Sequence, residues 1–332
     1  MSVMTAGAVN PALTGQSATQ DHARRMNRVL DHIDRHLDHA LPLEALAELA
    51  HFSPFHFHRL FTAWMGETLA DYVRRRRLEV GALYLANQPD LPVLHVALNV
   101  GFGSGEAFAR AFKLRFGHSP SAWRAHTPQR WAQELADVRR LSDRKIDQAL
   151  RKFDQVPAAP LRDPTDLSNR KEEVCMQVRI ETLAPVRVAT MRHVGPYGPS
   201  VNRFWMDTFG PWCQRHGLVP GATAYGIGWD DPSISPAAKC RYDACVEVAA
   251  NWSVPAPATA SELPGGRYAV ADFEGTLVDL SRAWTELLRD WLPASGWVID
   301  GRPLFERMGP QARFDPVTGV LVCELCLPVK AR

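Results

Sequence analysis

Phe52-Ser53-Pro54-Phe55-His56-Phe57-His58-Arg59-Leu60-Phe61 has a counterpart further along the chain, Phe102-Gly103-Ser104-Gly105-Glu106-Ala107-Phe108-Ala109-Arg110-Ala111-Phe112. At one constant offset Ser53 meets Ser104, Phe57 meets Phe108, Arg59 meets Arg110 and Phe61 meets Phe112. The same offset pairs Gly66 with Gly117 and Tyr72 with Trp123. Serines, aromatics and glycines are structurally pointed residues, and their joint recurrence marks an internal duplication.

Each copy reads as a short helix, a tight turn and a second helix. In the first, Leu43, Leu46, Ala47 and Ala50 form an apolar stripe at helical spacing. Ser53 suits the N-cap and Pro54 the first helical position, where a missing N–H costs nothing. The following helix is expected to bury Phe57, Leu60, Phe61 and Trp64 and to turn Phe55, His58, Arg59 and Thr62 outward. In the second copy Val93, Val96, Ala97 and Val100 form the first helix, and Ser104 caps the next. Phe108 and Phe112 then face inward while Glu106, Ala109, Arg110 and Lys113 face out. The outward stripes correspond, so the duplication reads as two helix-turn-helix units, each offering one helix to a major groove.

These residues resemble the AraC-type (AraC/XylS) transcription regulators. The resemblance covers about residues 25–126 and rests on Gly101-Phe102, Ser104, Phe108, Arg110, Phe112-Lys113, Phe116-Gly117, Ser119-Pro120 and Trp123-Arg124. It implies two units held apart by one long helix and entering adjacent major grooves of double-stranded DNA. It also implies RNA polymerase as a partner and activation as the more frequent output. Residues 69–87 suit the long helix; 19 residues rise about 28 Å, close to the ~34 Å between successive grooves.

An arginine forked to guanine is the commonest specific base contact, so Arg59 and Arg110 are either DNA-reading residues or internal braces. Phe55 and His58 suit a thymine methyl or a base edge, and Glu106 either a cytosine amino group or the helix dipole. The run Arg74-Arg75-Arg76-Arg77 lies inside the long helix. It is a solvated face or a source of phosphate contacts, with at most two arginines able to reach one DNA backbone.

Composition excludes several classes. With 46% hydrophobic and 22% charged residues, the 332-residue chain is an ordinary globular sequence with room for two or three domains. Six cysteines over that length make no disulfide framework and suit a reducing cytoplasm. No apolar run is long enough to span a membrane, and the first residues lack a secretory pattern. The net charge of +2 argues only weakly for nucleic acid. No cofactor or metal motif is present: His32, His36 and His39 share a helical face without a completing Cys or carboxylate. His56 and His58 point apart. Cys323 and Cys326, three apart on a strand, face opposite sides.

Residues 1–20 are expected to be disordered. Met26, Val29, Leu30, Ile33 and Leu37 repeat at helical spacing and give a leading helix over residues 22–38. Residues 129–153 form an amphipathic connector with Trp131 and Leu135, and 156–171 have the composition of a linker. Beyond Met176 the pattern turns to strands over 178–183, 186–194, 222–229, 242–249, 267–274, 303–308 and 320–329, with helices over 201–216 and 277–292. The order strand-helix-strand-strand occurs twice.

This half resembles the gyrase-inhibitor-like (GyrI-like) effector-binding domain over residues 177–329. The marks are Arg192-His193-Val194-Gly195-Pro196-Tyr197, Tyr242-Asp243-Ala244-Cys245-Val246, Gly266-Arg267-Tyr268-Ala269-Val270, Trp284, Trp291-Leu292 and Pro303-Leu304-Phe305-Glu306. The resemblance implies an aromatic cleft with an acid at its base, and the matching acid is Glu306. Met308 stands where the family usually has a tyrosine. A carboxylate among rings suits a small amphipathic or cationic ligand, through charge pairing and cation–π attraction. Tyr197, Trp229 and Trp284 are candidates for those rings or for core.

The expected fold is therefore an all-α tandem helix-turn-helix DNA-binding domain followed by an α+β domain of two strand-helix-strand-strand repeats. Its expected divisions are 1–20, 21–127, 128–175 and 176–332. The expected function is sequence-specific transcription regulation, with a small-molecule effector in the C-terminal half. The alternative is hydrolysis or sequestration of reactive toxic compounds, but no nucleophile–base constellation or metal set accompanies Glu306.

Overall fold

A computed structural model describes residues 11–130, 133, 176–218, 221–315 and 318–332. Most of the expected connector, all of the expected linker and residues 1–10 fall outside them. The chain divides into two compact units. One takes residues 1–124, 187–218 and 229–263, and the other 125–186, 219–228 and 264–332.

In the first unit, helix α1 (Pro11–Arg35) begins inside the segment expected to lack structure. It buries Met26, Val29, Leu30 and Ile33. Helices α2 (Leu43–Leu49) and α3 (Pro54–Met65) make the first helix-turn-helix. The long helix α4 runs Leu69–Asn87, and α5 (Val93–Asn99) and α6 (Gly105–Phe116) make the second copy. Helix α7 covers residues 120–130.

The caps form as the sequence requires. Ser53 accepts from the His56 N–H, Ser104 from Ala107, and Ser119 from Ala122, each satisfying one orphan donor at a helix start. Gly66 and Gly117 end α3 and α6 in the left-handed conformation.

Two separate cores result. Phe57, Phe61, Met65 and Tyr72 pack with α1 and α2, while Phe108, Phe112, Val96 and Trp123 pack with the second half of α4. Trp64 does not join the first core. It stays 43% exposed, and Met65, one residue on, closes the stripe. Spacing by fours from Phe57 puts Phe61 and Met65 in line.

The first unit also holds the antiparallel pair β2 (Val186–Val194) and β4 (Arg241–Glu247), with β5 (Thr259–Leu263) beside β2. Its helical segment α8 (Pro199–Phe204) and α9 (Gly210–Arg215) is joined through one π turn, Trp205–Phe209. The second unit is antiparallel in the order β1 (Val178–Leu183), β6 (Gly266–Gly275), β10 (Leu321–Ala331), β8 (Phe305–Met308), β3 (Ala224–Gly228). Strands β7 (Trp297–Ile299) and β9 (Arg313–Phe314) pair with β10. Helix α10 (Leu277–Glu286) continues through a second π turn, Leu287–Trp291, into α11 (Leu292–Ala294).

The π turns have a sequence cause. Pro211 and Pro293 each follow one closely, and a proline inside a helix lacks the N–H and clashes with the carbonyl four residues back. Widening one turn absorbs both defects.

Strands β5, β7 and β9 were not expected from the sequence. Two are only 2 or 3 residues long, too short for an alternating pattern to register.

In β10, Cys323 packs with Leu325, Leu327 and Val329. Cys326 lies on the opposite face, as alternation demands. Both thiols are buried, and burial pushes the Cys326 thiol up to about 12.

Candidate nucleic-acid interface and effector site

Helices α3 and α6 present the two outward stripes. On α3, Phe55 is 73% exposed, and the Arg59 guanidinium sits 5.8 Å from its ring centre, a cation–π arrangement that holds both side chains at the surface. His58 is exposed beside them. Thr62 departs from the stripe: it is half-buried, and its hydroxyl is turned out of solvent. On α6, Glu106, Arg110 and Lys113 are exposed and Ala109 is half-buried. Neither Arg59 nor Arg110 makes an ion pair among the described residues, so neither braces the fold through one.

The arginine run resolves differently from either sequence reading. Arg75 is clamped between Glu67 (2.8 Å) and Glu79 (3.1 Å), both ion pairs nearly closed to solvent. Arg76 bridges Asp34 (3.1 Å), Glu79 (2.9 Å) and Asp230 (2.5 Å). Arg77 donates to the carbonyls of Gly101 (2.8 Å) and His39 (2.7 Å), tying the second turn to the end of the leading helix segment. Arg74 alone of the four stays exposed. It lines a concavity of about 760 Å³ together with His58, Leu43, Leu69, Val73 and Phe102. One arginine is thus available for phosphate contact and three hold structure.

Arg76 belongs to a buried charge cluster that the sequence did not announce. Arg241 on β4 forks onto Asp230 (2.9 and 3.0 Å), pairs with Asp34 on α1 and donates to the Tyr72 hydroxyl (3.1 Å). Lys239 pairs with Glu67 (2.7 Å). Burial alone would raise the Asp34 and Asp230 carboxyls, but Arg241 and Arg76 hold both below the ordinary range. Burial drives the Tyr72 phenol up to about 12. In formal charge, Asp34 and Asp230 face Arg76 and Arg241, while Glu67 and Glu79 face Arg75, Lys239 and the more distant Arg115 (3.9 Å), so each carboxylate there has a cation.

A second, smaller cluster lies one turn earlier on α1. Arg192 on β2 forks onto Asp243 on β4 (2.7 and 2.6 Å) and reaches Asp31 on α1 (2.8 Å). The Trp229 indole N–H donates to Asp243 (2.7 Å), and Arg192 lies 5.5 Å from that ring centre. Here two carboxylates share one guanidinium. Burial and the neighbouring Asp243 outweigh Arg192, and the Asp31 carboxyl is pushed above its ordinary value.

Of the four expected effector residues, Glu306 and Trp284 come together in the second unit. Glu306 is only 7% exposed on β8, and the Trp284 indole N–H from α10 donates to its carboxylate at 2.8 Å. Directly opposite in the ladder stand Leu325 and Gly226; the glycine adds no side chain beside the carboxylate. Tyr197 and Trp229 belong to the first unit. The Tyr197 hydroxyl donates to the Arg241 carbonyl (2.7 Å) and accepts from the Asp230 N–H (3.1 Å), so it pins the loop before β4. Among the described residues no group of three or more His, Cys, Asp and Glu can hold a metal ion, and no helix is long and apolar enough to cross a membrane.

Residues 46–126 match a helix-turn-helix domain model, and residues 176–330 match the model of a GyrI-like small molecule binding domain. The SPbeta prophage-derived putative transcriptional regulator YosT of Bacillus subtilis (strain 168) is 33% identical over 155 residues, 47% of this chain and 100% of that protein. Regulatory protein SoxS of Escherichia coli (strain K12) is 30% identical over 103 residues, covering 31% of this chain and 95% of its own. The probable transcriptional regulator YgiV of the same strain is 34% identical over 136 residues, 39% of this chain and 81% of that one.

Proposed function

This chain belongs to the AraC-type helix-turn-helix transcriptional regulators that carry a C-terminal GyrI-like small-molecule-binding domain, and on that premise we propose how its two parts work. Helices α3 and α6 enter adjacent major grooves of a DNA site of about twenty base pairs. Phe55, His58 and Arg59 on one helix, and Glu106, Arg110 and Lys113 on the other, read base edges and phosphates. Thr62 and Ala109 shape the rim of each contact. Arg74 adds a phosphate contact.

The observation that carries this reading is the pair of matched stripes: Arg59 and Arg110 are both exposed and both without an ion pair among the described residues, while most neighbouring arginines are tied down. Hydroxyl-radical footprinting on a selected site tests it. Two protected patches about one helical turn apart on one face of the duplex are expected. A single patch contradicts it.

Working boundaries are 21–127 for the reader and 176–332 for the effector domain, with 1–20 and 128–175 as extension and connection. The effector domain is taken as two strand-helix-strand-strand repeats. In support, each helix carries a five-residue π turn followed by a proline.

The ligand class is a small amphipathic cation. Glu306 supplies the charge and Trp284 the ring; Trp229 and Tyr197, in the other unit, are separate ring candidates. Equilibrium dialysis with tetraphenylphosphonium checks this: Glu306→Gln should weaken binding at least tenfold, and unchanged binding removes Glu306 from the site. The output is activation in the cytoplasm through contact with RNA polymerase.

A further inference from the structure

Two ion clusters join α1 and α4 to strands β2 and β4, and they are built unequally. Around Asp34, Arg76, Asp230 and Arg241 charge is balanced and every carboxylate named there has an arginine or lysine within ion-pair distance. Around Asp31, Arg192 and Asp243 there is, among the described residues, one arginine for two carboxylates. One guanidinium nitrogen of Arg192, itself buried, has no hydrogen-bond partner among the described residues.

Low dielectric makes such a shortage costly, because each buried charge left without a partner keeps its full desolvation penalty. The balanced cluster is an anchor. The short-handed one is where a small change in hydrogen bonding shifts energy most.

That cluster has an outer end. Trp229 is half-buried, and its indole N–H supplies the third donor to Asp243. If the indole is drawn off, Asp243 depends wholly on Arg192. The guanidinium then gives up part of its contact with Asp31, which is left half-buried on α1 with less compensation. Relief requires α1 to move relative to β2. Helix α1 packs the first helix-turn-helix through Met26, Val29, Leu30 and Ile33, so its position sets that of α3.

We propose that Asp31, Arg192 and Asp243 are positioning residues that pass the state of Trp229 to the DNA-reading helices, with the Asp34–Arg241 cluster as the fixed pivot. This rests on the DNA-reading function proposed above and adds its route of control. A ligand controls the reader only through differential contact with the two arrangements. Stacking on or displacing the Trp229 ring is such a contact.

The test is a cycle in the full-length chain between Trp229→Phe, which keeps the ring and removes the N–H, and Asp31→Asn, which removes the surplus charge. Affinity for a selected DNA site and hydrogen exchange of residues 26–35 are measured at a temperature where all forms are folded. Trp229→Phe should change DNA affinity at least fivefold and alter exchange in α1. In the Asp31→Asn background both effects should fall below twofold.

Equal effects in both backgrounds, or none in either, would overturn the proposal, because a merely structural tryptophan would lower the melting temperature without this dependence on Asp31. Should Asp31→Asn not fold, Arg192→Lys, which keeps the charge and loses the fork, takes its place with the same expected pattern. If no DNA sequence is selected at all, the DNA-reading function fails by itself. The exchange of α1 then decides the coupling separately.

Discussion

The two helix-turn-helix copies share their caps, their aromatic pairs and their αL-terminated second helices, yet they are held in different ways. In the first copy Tyr72 lies at the foot of the α1–α4 core and meets the Arg241 guanidinium. In the second the equivalent Trp123 donates to the Ala82 carbonyl at 3.3 Å, a contact inside the copy itself. Charge ties the first copy to β4, whereas the second takes one apolar loop residue, Ile234, into its core. The turns differ as well. His51 adopts φ 54° in the first turn and Gly101 φ 78° in the second, where Gly103 is an extra residue before the cap. A duplicated sequence has kept an exposed arginine at the same place in both copies while the attachment diverged.

The strongest way to break this asymmetry is Arg241→Met. It strands Asp34 and Asp230 without their main partner, and losing one member of a buried pair costs about 3–5 kcal/mol. Chemical unfolding of the full chain should show that loss, with α1 and α4 losing exchange protection before α6. A loss under about 1 kcal/mol would mean that the cluster behaves as a solvated one.

Acid probes the same cluster. Asp34 and Asp230 are held below their ordinary values. Their contribution is therefore complete above the unfolded carboxyl value of about 4 and is lost as pH falls through the lower folded values. Asp31 works in the opposite sense: with its carboxyl raised, it favours the folded state at low pH and ceases to do so as pH rises. Asp34→Asn should flatten the acid limb of a stability–pH curve, and an unchanged limb would assign acid sensitivity elsewhere.

The reading surface, by contrast, should respond alike in both copies. Arg59→Ala and Arg110→Ala should each cost about 1–3 kcal/mol of specific DNA affinity. Thermal unfolding should stay within about 0.5 kcal/mol of the parent. An unchanged affinity for one of them would make that copy a non-reading one.

The turns separate again. A Cβ on Gly101 would lie 2.2 Å from the Leu37 carbonyl oxygen, in a left-handed backbone. Gly101→Ala should therefore cost about 1–2 kcal/mol for the conformation alone and more for the contact. His51→Gly should be neutral or stabilising by up to about 1 kcal/mol, read in the same unfolding assay. At the caps, Ser53→Ala and Ser104→Ala should each remove about 1 kcal/mol.

Where the sequence was legible, a local periodicity carried the information. The long helix over 69–87 came from the resemblance, and in the structure Thr68 caps it. The caps at Ser53 and Ser104 were visible from the local pattern. Strands β1 and β2 matched their alternating runs. What stayed hidden depends on contacts distant in the chain. Arg75 and Arg76 looked like a surface run because four adjacent charges carry no sign of their partners, which stand at Glu67 and Glu79 for Arg75 and at Asp34, Glu79 and Asp230 for Arg76. Asp31 and Asp34 could have been suspected, since they lie three apart beside the buried stripe of α1. Tyr197 read as either a pocket ring or core, and the two backbone groups that take its hydroxyl could not be seen from the sequence. Glu306 was placed by resemblance, and its indole partner at Trp284 was named without the bond between them being foreseen.

The central claim is that one chain reads DNA with two equivalent helices. Selection of binding sites from a random DNA pool by the full-length protein tests it most directly. The account predicts a bipartite site whose two halves lie about one helical turn apart, one losing enrichment with Arg59→Ala and the other with Arg110→Ala. A single short motif, or two halves that both depend on only one of these arginines, would contradict it.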